Sequence, residues 1–140
     1  MTVDSNVFFQ YFPPYLLFRL HKYEILMVWC SNLIWEEILK SLLDQIKGIT
    51  PARIEVIEEL IDYFLGGWVN FSTKEHSEAI SKVSLQYPDD RHVLYSAPIT
   101  NSRFLVTENL GDFPQIYIDY NRRNGLEFHP DFKVVSFDSF

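Results

Sequence analysis

The sequence predicts an α/β fold, a three-layer α/β/α sandwich around a central, mainly parallel sheet of about four or five strands. Three observations predict it. Short apolar, partly β-branched runs alternate with segments whose apolar residues recur at helical spacing. The helical segments carry start signals such as Thr50-Pro51 and Pro88-Asp89-Asp90. The length, 140 residues, suits a single domain over residues 1–140.

In chain order, residues 2–7 read as a first strand with Asp4 and Asn6 at its end. Pro13 and Pro14 open a helix through Leu16, Leu17 and Leu20, since proline is tolerated in a first helical turn. Residues 25–29 are a continuous apolar run that fits a buried strand or a tight connection. Ser31 or Asn32 caps a helix with Leu33, Ile34, Ile38, Leu42 and Leu43 on one broad face, ended by Gly48. Thr50-Pro51 starts the next, with Ile54, Ile57, Leu60, Ile61 and Phe64 on one side and Gly66-Gly67 as its stop. Residues 68–71 are a short strand, and Ser72 or Thr73 caps a weak helix over 75–83. Pro88-Asp89-Asp90 starts a further helix, with two acids where the dipole favours them. Residues 103–107 (R-F-L-V-T) form the clearest buried strand, residues 109–114 a turn, and residues 133–135 a last strand. Arg122 and Arg123, within residues 121–125, read as part of a polar loop.

The composition is 47% apolar and 16% aromatic, which is globular rather than disordered. Cys30 is the single cysteine, so no intramolecular disulfide can form and a reducing compartment fits; it reads as a small buried hydrophobe. The longest apolar run covers residues 25–30, far short of the roughly 20 residues that span a bilayer. No basic head precedes an apolar stretch, so a soluble, cytoplasmic protein with no membrane association is expected. The net charge of −7 excludes a grip on nucleic acid by bulk charge alone. It leaves a nuclease open, because carboxylates that hold a metal ion are themselves negative and the cation reverses the local field.

Ligand sites in parallel α/β sheets lie beyond the carboxyl ends of the strands. Asp4 and Asp112 qualify directly, while Glu36 and Asp90 lie in the first turns of helices opening near the same edge. Alone, each acid has a structural reading: Asp4 and Asp112 as turn residues, Asp89-Asp90 as a cap, Glu36 as a solvated helix acid. Together they form an ordered set. D-S-N at residues 4–6, S-N-L-I-W-E at 31–36, P-D-D-R-H-V-L at 88–94 and L-V-T-E-N-L-G-D-F-P at 105–114 follow one another along nearly the whole chain. This set resembles the PIN domain, specifically the bacterial VapC-like toxin components, and V-V-S-F-D-S-F at 134–140 is similar to that group's final strand and helix.

The resemblance implies cleavage of single-stranded RNA with Mg²⁺ or Mn²⁺. It matches the family's acids to Asp4, Glu36, Asp90 and Asp112, and its polar supporting groups to Asn6, Thr107 and Asn109. Asp4 and Asp112 are then the closest ligands, Asp90 orients the attacking water, and Glu36 holds a second ion or an outer water; one ion or two both remain open. Glu36 is preferred to Glu37 because it lies five residues after Ser31, and Asp90 to Asp89 because the gapless stretch to Thr107 then fits, with Asp89 as the cap. A cognate antitoxin encoded beside the gene and a homodimer are implied partners.

Elementary chemistry agrees. Phosphodiester hydrolysis needs a nucleophile at neutral pH and relief of phosphate charge, and a divalent ion supplies both. Carboxylates without Cys or His neighbours are suitable donors for Mg²⁺. Tyr95 and Pro98 depart from the family's small residues in this helix, Pro98 should kink or end it, and the stretch 115–132 is longer than usual. These departures make a catalytically silent PIN-fold interaction module the alternative, with Tyr95, Pro98 and the exposed aromatics on a partner surface. A phosphotransfer enzyme using Asp4 as nucleophile wants a second acid two residues on, where this chain has Asn6. His21, His76 and His129 read as surface or locally bonded, and His92 as a candidate to face the site. Trp29, Trp35 and Trp68 are expected in the core.

Overall fold

A computed structural model describes residues 1–9, 19, 27–45, 48–64 and 67–139. The helix expected after Pro13-Pro14, and the side chains of Ile57, Leu60, Ile61 and Phe64, lie outside the described residues. The strands are β1 (Thr2–Val3), β2 (Trp29–Ser31), β3 (Gly67–Val69), β4 (Phe104–Val106) and β5 (Lys133–Val135). They form one five-stranded sheet in the order β3-β2-β1-β4-β5, and every pairing is parallel. The described helices are α1 (Asn32–Gln45), α2 (Pro51–Phe64), α3 (Lys74–Ser81), α4 (Arg91–Ile99) and α5 (Gln115–Arg123).

This strand order decides the layering. The chain moves outward from β1 through β2 to β3, then returns across the sheet to β4 and β5. Right-handed crossovers therefore put α1 and α2 on one face and α3 to α5 on the other. The strands between are covered on both sides and are accordingly apolar at successive positions. Val3, Cys30, Leu105 and Val106 are all at most 1% exposed. Cys30 is buried as expected, and that burial pushes its thiol up to about 12.

The first strand is shorter than residues 2–7 suggest. It ends at Val3, and Ser5–Phe9 winds into a 3₁₀ turn, which lifts Asp4 out of the ladder at the strand's carboxyl end. Three helix starts carry the expected caps. Ser31 Oγ accepts from the Ile34 N–H at 3.1 Å, Thr50 Oγ1 from Arg53 at 3.3 Å and Thr73 Oγ1 from His76 at 3.3 Å. In β3, a Cβ on Gly67 would lie 2.5 Å from the ring of Trp29, its register partner on β2, so only glycine fits. Trp29 and Trp35 are half-buried and Trp68 is 36% exposed, so the tryptophans flank the core rather than fill it. Trp35 and Trp68 meet edge to face at 6.2 Å.

Helix α4 is the central one: it packs over β1 and β4, and every residue from His92 to Ala97 is buried. Pro98 lies inside its last turn, and the helix runs on to Ile99 before it ends. Asn101 turns to φ +50, and its N–H and that of Ser102 bond the carbonyls of Pro98 and Ala97, a Schellman close. Tyr95 is core rather than surface. It is 6% exposed, packs on Phe71 at 5.2 Å between ring centroids and bonds His76 Nδ1 through its hydroxyl at 2.8 Å.

Helix α5 takes in the first part of the stretch 121–125 read as a polar loop, with Arg122 and Arg123 in its last turn. Its buried face is unusual, because Ile118 is joined there by an asparagine. Asn121 Oδ1 accepts from the Ser84 N–H at 2.8 Å, while Nδ2 donates to the carbonyls of Ser84 at 2.8 Å and Tyr117 at 2.7 Å. One side chain thus satisfies the backbone of the connection after α3. Among the described residues no helix is long and apolar enough to cross a membrane.

Asn121→Ala should cost about 1–2 kcal/mol, since it strands partly buried backbone groups of Ser84 without partners. Urea denaturation measures this, and a loss below about 0.5 kcal/mol, the range of ordinary surface changes, would contradict the assigned role.

Candidate functional site

The order of the sheet reverses between β1 and β4, and the carboxyl ends of these two strands bound the crevice where ligands bind in open α/β sheets. Asp4 follows β1 and Thr107 follows β4. The Asp4 N–H still donates to the Val106 carbonyl at 2.9 Å, and the Thr107 N–H to that of Val135 at 3.0 Å. Strand pairing therefore continues up to the site and fixes both Cα positions.

The side chains then lock together. Asp4 is 5% exposed and Thr107 is fully buried. Asp4 Oδ2 accepts from Thr107 Oγ1 at 2.7 Å and from Asn6 Nδ2 at 3.1 Å. Asn6 Nδ2 also lies 3.2 Å from Thr107 Oγ1, and its Oδ1 accepts from the Glu108 N–H at 3.2 Å. The backbone N–H of Asn109 completes the group by donating to Thr107 Oγ1 at 3.0 Å. Asn6 and Thr107 thus support Asp4 as expected. Asn109, whose side chain is exposed, contributes through its main chain. Burial raises the Asp4 pKa above its ordinary value, the Thr107 hydrogen bond opposes this, and repulsion from Glu37 adds to it.

Asp90 stands at the start of α4 in helical backbone geometry, and its side chain makes no capping bond. Asp89 is exposed in the preceding turn. The capping reading of the pair fails, and the half-buried Asp90 carboxyl is left uncommitted by the helix. Its pKa is raised to about 6 by burial first, then by repulsion from Asp4, Asp112 and Glu37, with His92 offsetting part of the effect. Asp112, half-buried in the turn Leu110–Asp112 after β4, belongs to the same field.

Glu36 does not join this group; Glu37 does. Successive helix residues are rotated by about 100°, so Glu37 falls beside the buried stripe of Ile34 and Ile38 while Glu36 falls on the opposite side with exposed Lys40. Glu37 Oε1 lies 2.6 Å from Nε2 of His92. Burial alone would raise the Glu37 pKa; hydrogen bonds from His92 and Ser5 outweigh it and hold the carboxyl below its ordinary value. The sequence signal for Glu37 was the helical period, which the spacing from Ser31 overrode. A groove of about 590 Å³ between α1 and the turn Pro88–Asp90 leads to the pair, with Glu36 on its outer wall.

The acids share one rim, yet among the described residues no three His, Cys, Asp or Glu side chains are gathered tightly enough to ligate one ion. Their chemistry fits a hard divalent cation. Mg²⁺ is commonly held by one or two carboxylates with several waters retained, which does not require three protein donors in direct contact. Compared with family models, with curated proteins and with solved structures, the chain matches none.

The raised Asp90 pKa sets a pH dependence. The folded state holds its proton more tightly than the unfolded state, so this contribution to stability is complete below pH 3.8 and is lost as pH rises to about 6. In metal-free buffer at pH 7, Asp90→Asn should therefore stabilise the protein. The side chain is partly solvated, so screening reduces the gain to about 1 kcal/mol, or about 3 °C in Tm. The gain should vanish by pH 3.5. Thermal melts with a chelator across this range check it, and equal destabilisation at both ends would refute the account.

Proposed function

We propose that this chain is a PIN-type endoribonuclease that hydrolyses phosphodiester bonds of single-stranded RNA with Mg²⁺ or Mn²⁺. What carries the reading is the meeting of Asp4, Glu37, Asp90 and Asp112 at the switch point of the sheet, where Asp4, Asp112 and Glu37 raise the cost of ionising Asp90, and Glu37 that of Asp4. A fold gains no stability from such repulsion, and a bound cation would relieve it.

In this reading Asp4 and Asp112 would hold the ion directly, and Asp90 and Glu37 would hold it or its waters. The bound ion would supply an acidified water and charge relief at the phosphate. Asn6 and Thr107 keep the Asp4 carboxylate from turning away, because Oδ2 is already taken by both. Asp90, free of the helix start, would accept a hydrogen bond from the attacking water. Together with the ordered motifs, this supports the role of a cytoplasmic toxin held in check by an antitoxin, with a homodimer as the working form.

The alternative, an interaction module of the same fold without catalysis, is favoured by one observation: no three-residue ligand group is preformed among the described residues. It loses Tyr95 from the partner surface it invoked, since that ring is buried in the core, while Trp68, Tyr87 and Tyr120 are exposed.

Asp4→Asn and Glu37→Gln should each lower Mn²⁺-dependent cleavage of a single-stranded RNA by on the order of 100-fold or more. Glu36→Gln should stay within about threefold of the parent, as expected of an exposed side chain off the site. Mn²⁺ should raise the melting temperature of the parent but not of Asp4→Asn. A parent that neither cleaves RNA nor shifts with Mn²⁺ would leave the interaction module as the reading.

A further inference from the structure

His92 enters none of the roles above, yet it is nearly buried and bonded across the rim. It lies in the first turn of α4, is 9% exposed and reaches α1, where Nε2 meets Glu37 Oε1 at 2.6 Å. Its other nitrogen, Nδ1, is buried without a hydrogen-bond partner. An ionised carboxylate can only accept, so the bond across the rim runs from Nε2 to Glu37. The geometry therefore favours the imidazole as a one-way donor toward Glu37.

Glu37 needs such a donor. Its side chain is 37% exposed, so solvent is open to it. Fixing a glutamate costs about 1.5–2 kcal/mol of rotamer freedom. Repulsion from Asp4 and Asp90 also pushes it outward. A short hydrogen bond to an ionised acceptor is among the stronger ones available to a side chain. The donor here sits on the same helix turn as Asp90, two residues further on.

We propose that His92 is a positioning residue: by its bond to Glu37 it holds the fourth carboxylate at the rim, so that α1 and α4 present Glu37 and Asp90 to one cation as a unit. This rests on the metal-dependent reading above. His92 touches neither substrate nor ion in this role and acts only through Glu37. Groups that orient a ligand in this way typically govern metal affinity by 10–100-fold.

The test compares two substitutions that both fill the space of the imidazole. His92→Gln keeps an N–H donor near the position of Nε2; His92→Leu removes it. Chelator-stripped protein is titrated with Mn²⁺ alone by calorimetry, with circular dichroism to confirm the fold. His92→Leu should bind Mn²⁺ about 10–100-fold more weakly and His92→Gln within about threefold of the parent. Glu37→Gln carries the same loss from the partly exposed end of the bond, and His92→Leu/Glu37→Gln should be no weaker than Glu37→Gln alone. A purely packing role would move Leu and Gln alike, so equal affinities for the two variants overturn the inference, as do additive losses in the double variant. A parent that binds no Mn²⁺ overturns the ribonuclease reading itself.

Discussion

The hydrogen bond from Thr107 to Asp4 joins the ends of β1 and β4 where the sheet changes direction, and the rest of the rim is arranged around it. A carboxylate that is 5% exposed must be paired or neutralised. Here a hydroxyl and an amide satisfy one oxygen, and both donors come from segments already fixed by strand pairing or by the turn after β1. Asp4 is therefore held with little freedom. Asp90 and Glu37 stand on helices that approach the same rim from opposite faces of the sheet. Three layers thus contribute to one patch, and none of them could form it alone.

The fold class was legible because it rests on periodicity. Parallel strands buried on both faces leave continuous apolar runs, and the capped helices between them leave Ser31, Thr50 and Thr73 as visible punctuation. Helix α5 was not legible for the same reason in reverse. Ile116 and Tyr120 face solvent, and the buried face relies on Asn121, so the segment shows no apolar stripe to read. Here backbone satisfaction replaced hydrophobic burial, and a pattern search weighs only the latter.

Within the site, the residues tied to strand ends were legible. Asp4, Thr107 and Asp112 follow directly from the rule that sites lie beyond strand carboxyl ends. On α1 it is Glu37, not the expected Glu36, that meets His92 at this rim. Glu37 lies beside the stripe that Ile34 and Ile38 define, and a shift of one residue on a helix turns a side chain by about 100°. His92 was visible as a candidate, but its partner was not, since the pair spans 55 residues and two faces.

The separation of the central pair also bears on synthesis. Asp4 and Thr107 lie 103 residues apart, and β1 offers only Thr2 and Val3 to hold its place until β4 arrives. Ribosomes add roughly 5–20 residues each second, so the first strand waits for several seconds before its neighbour emerges. A nascent chain therefore carries an incomplete rim over this interval. The acidic patch is assembled only once Asp112, 108 residues after Asp4, has been made.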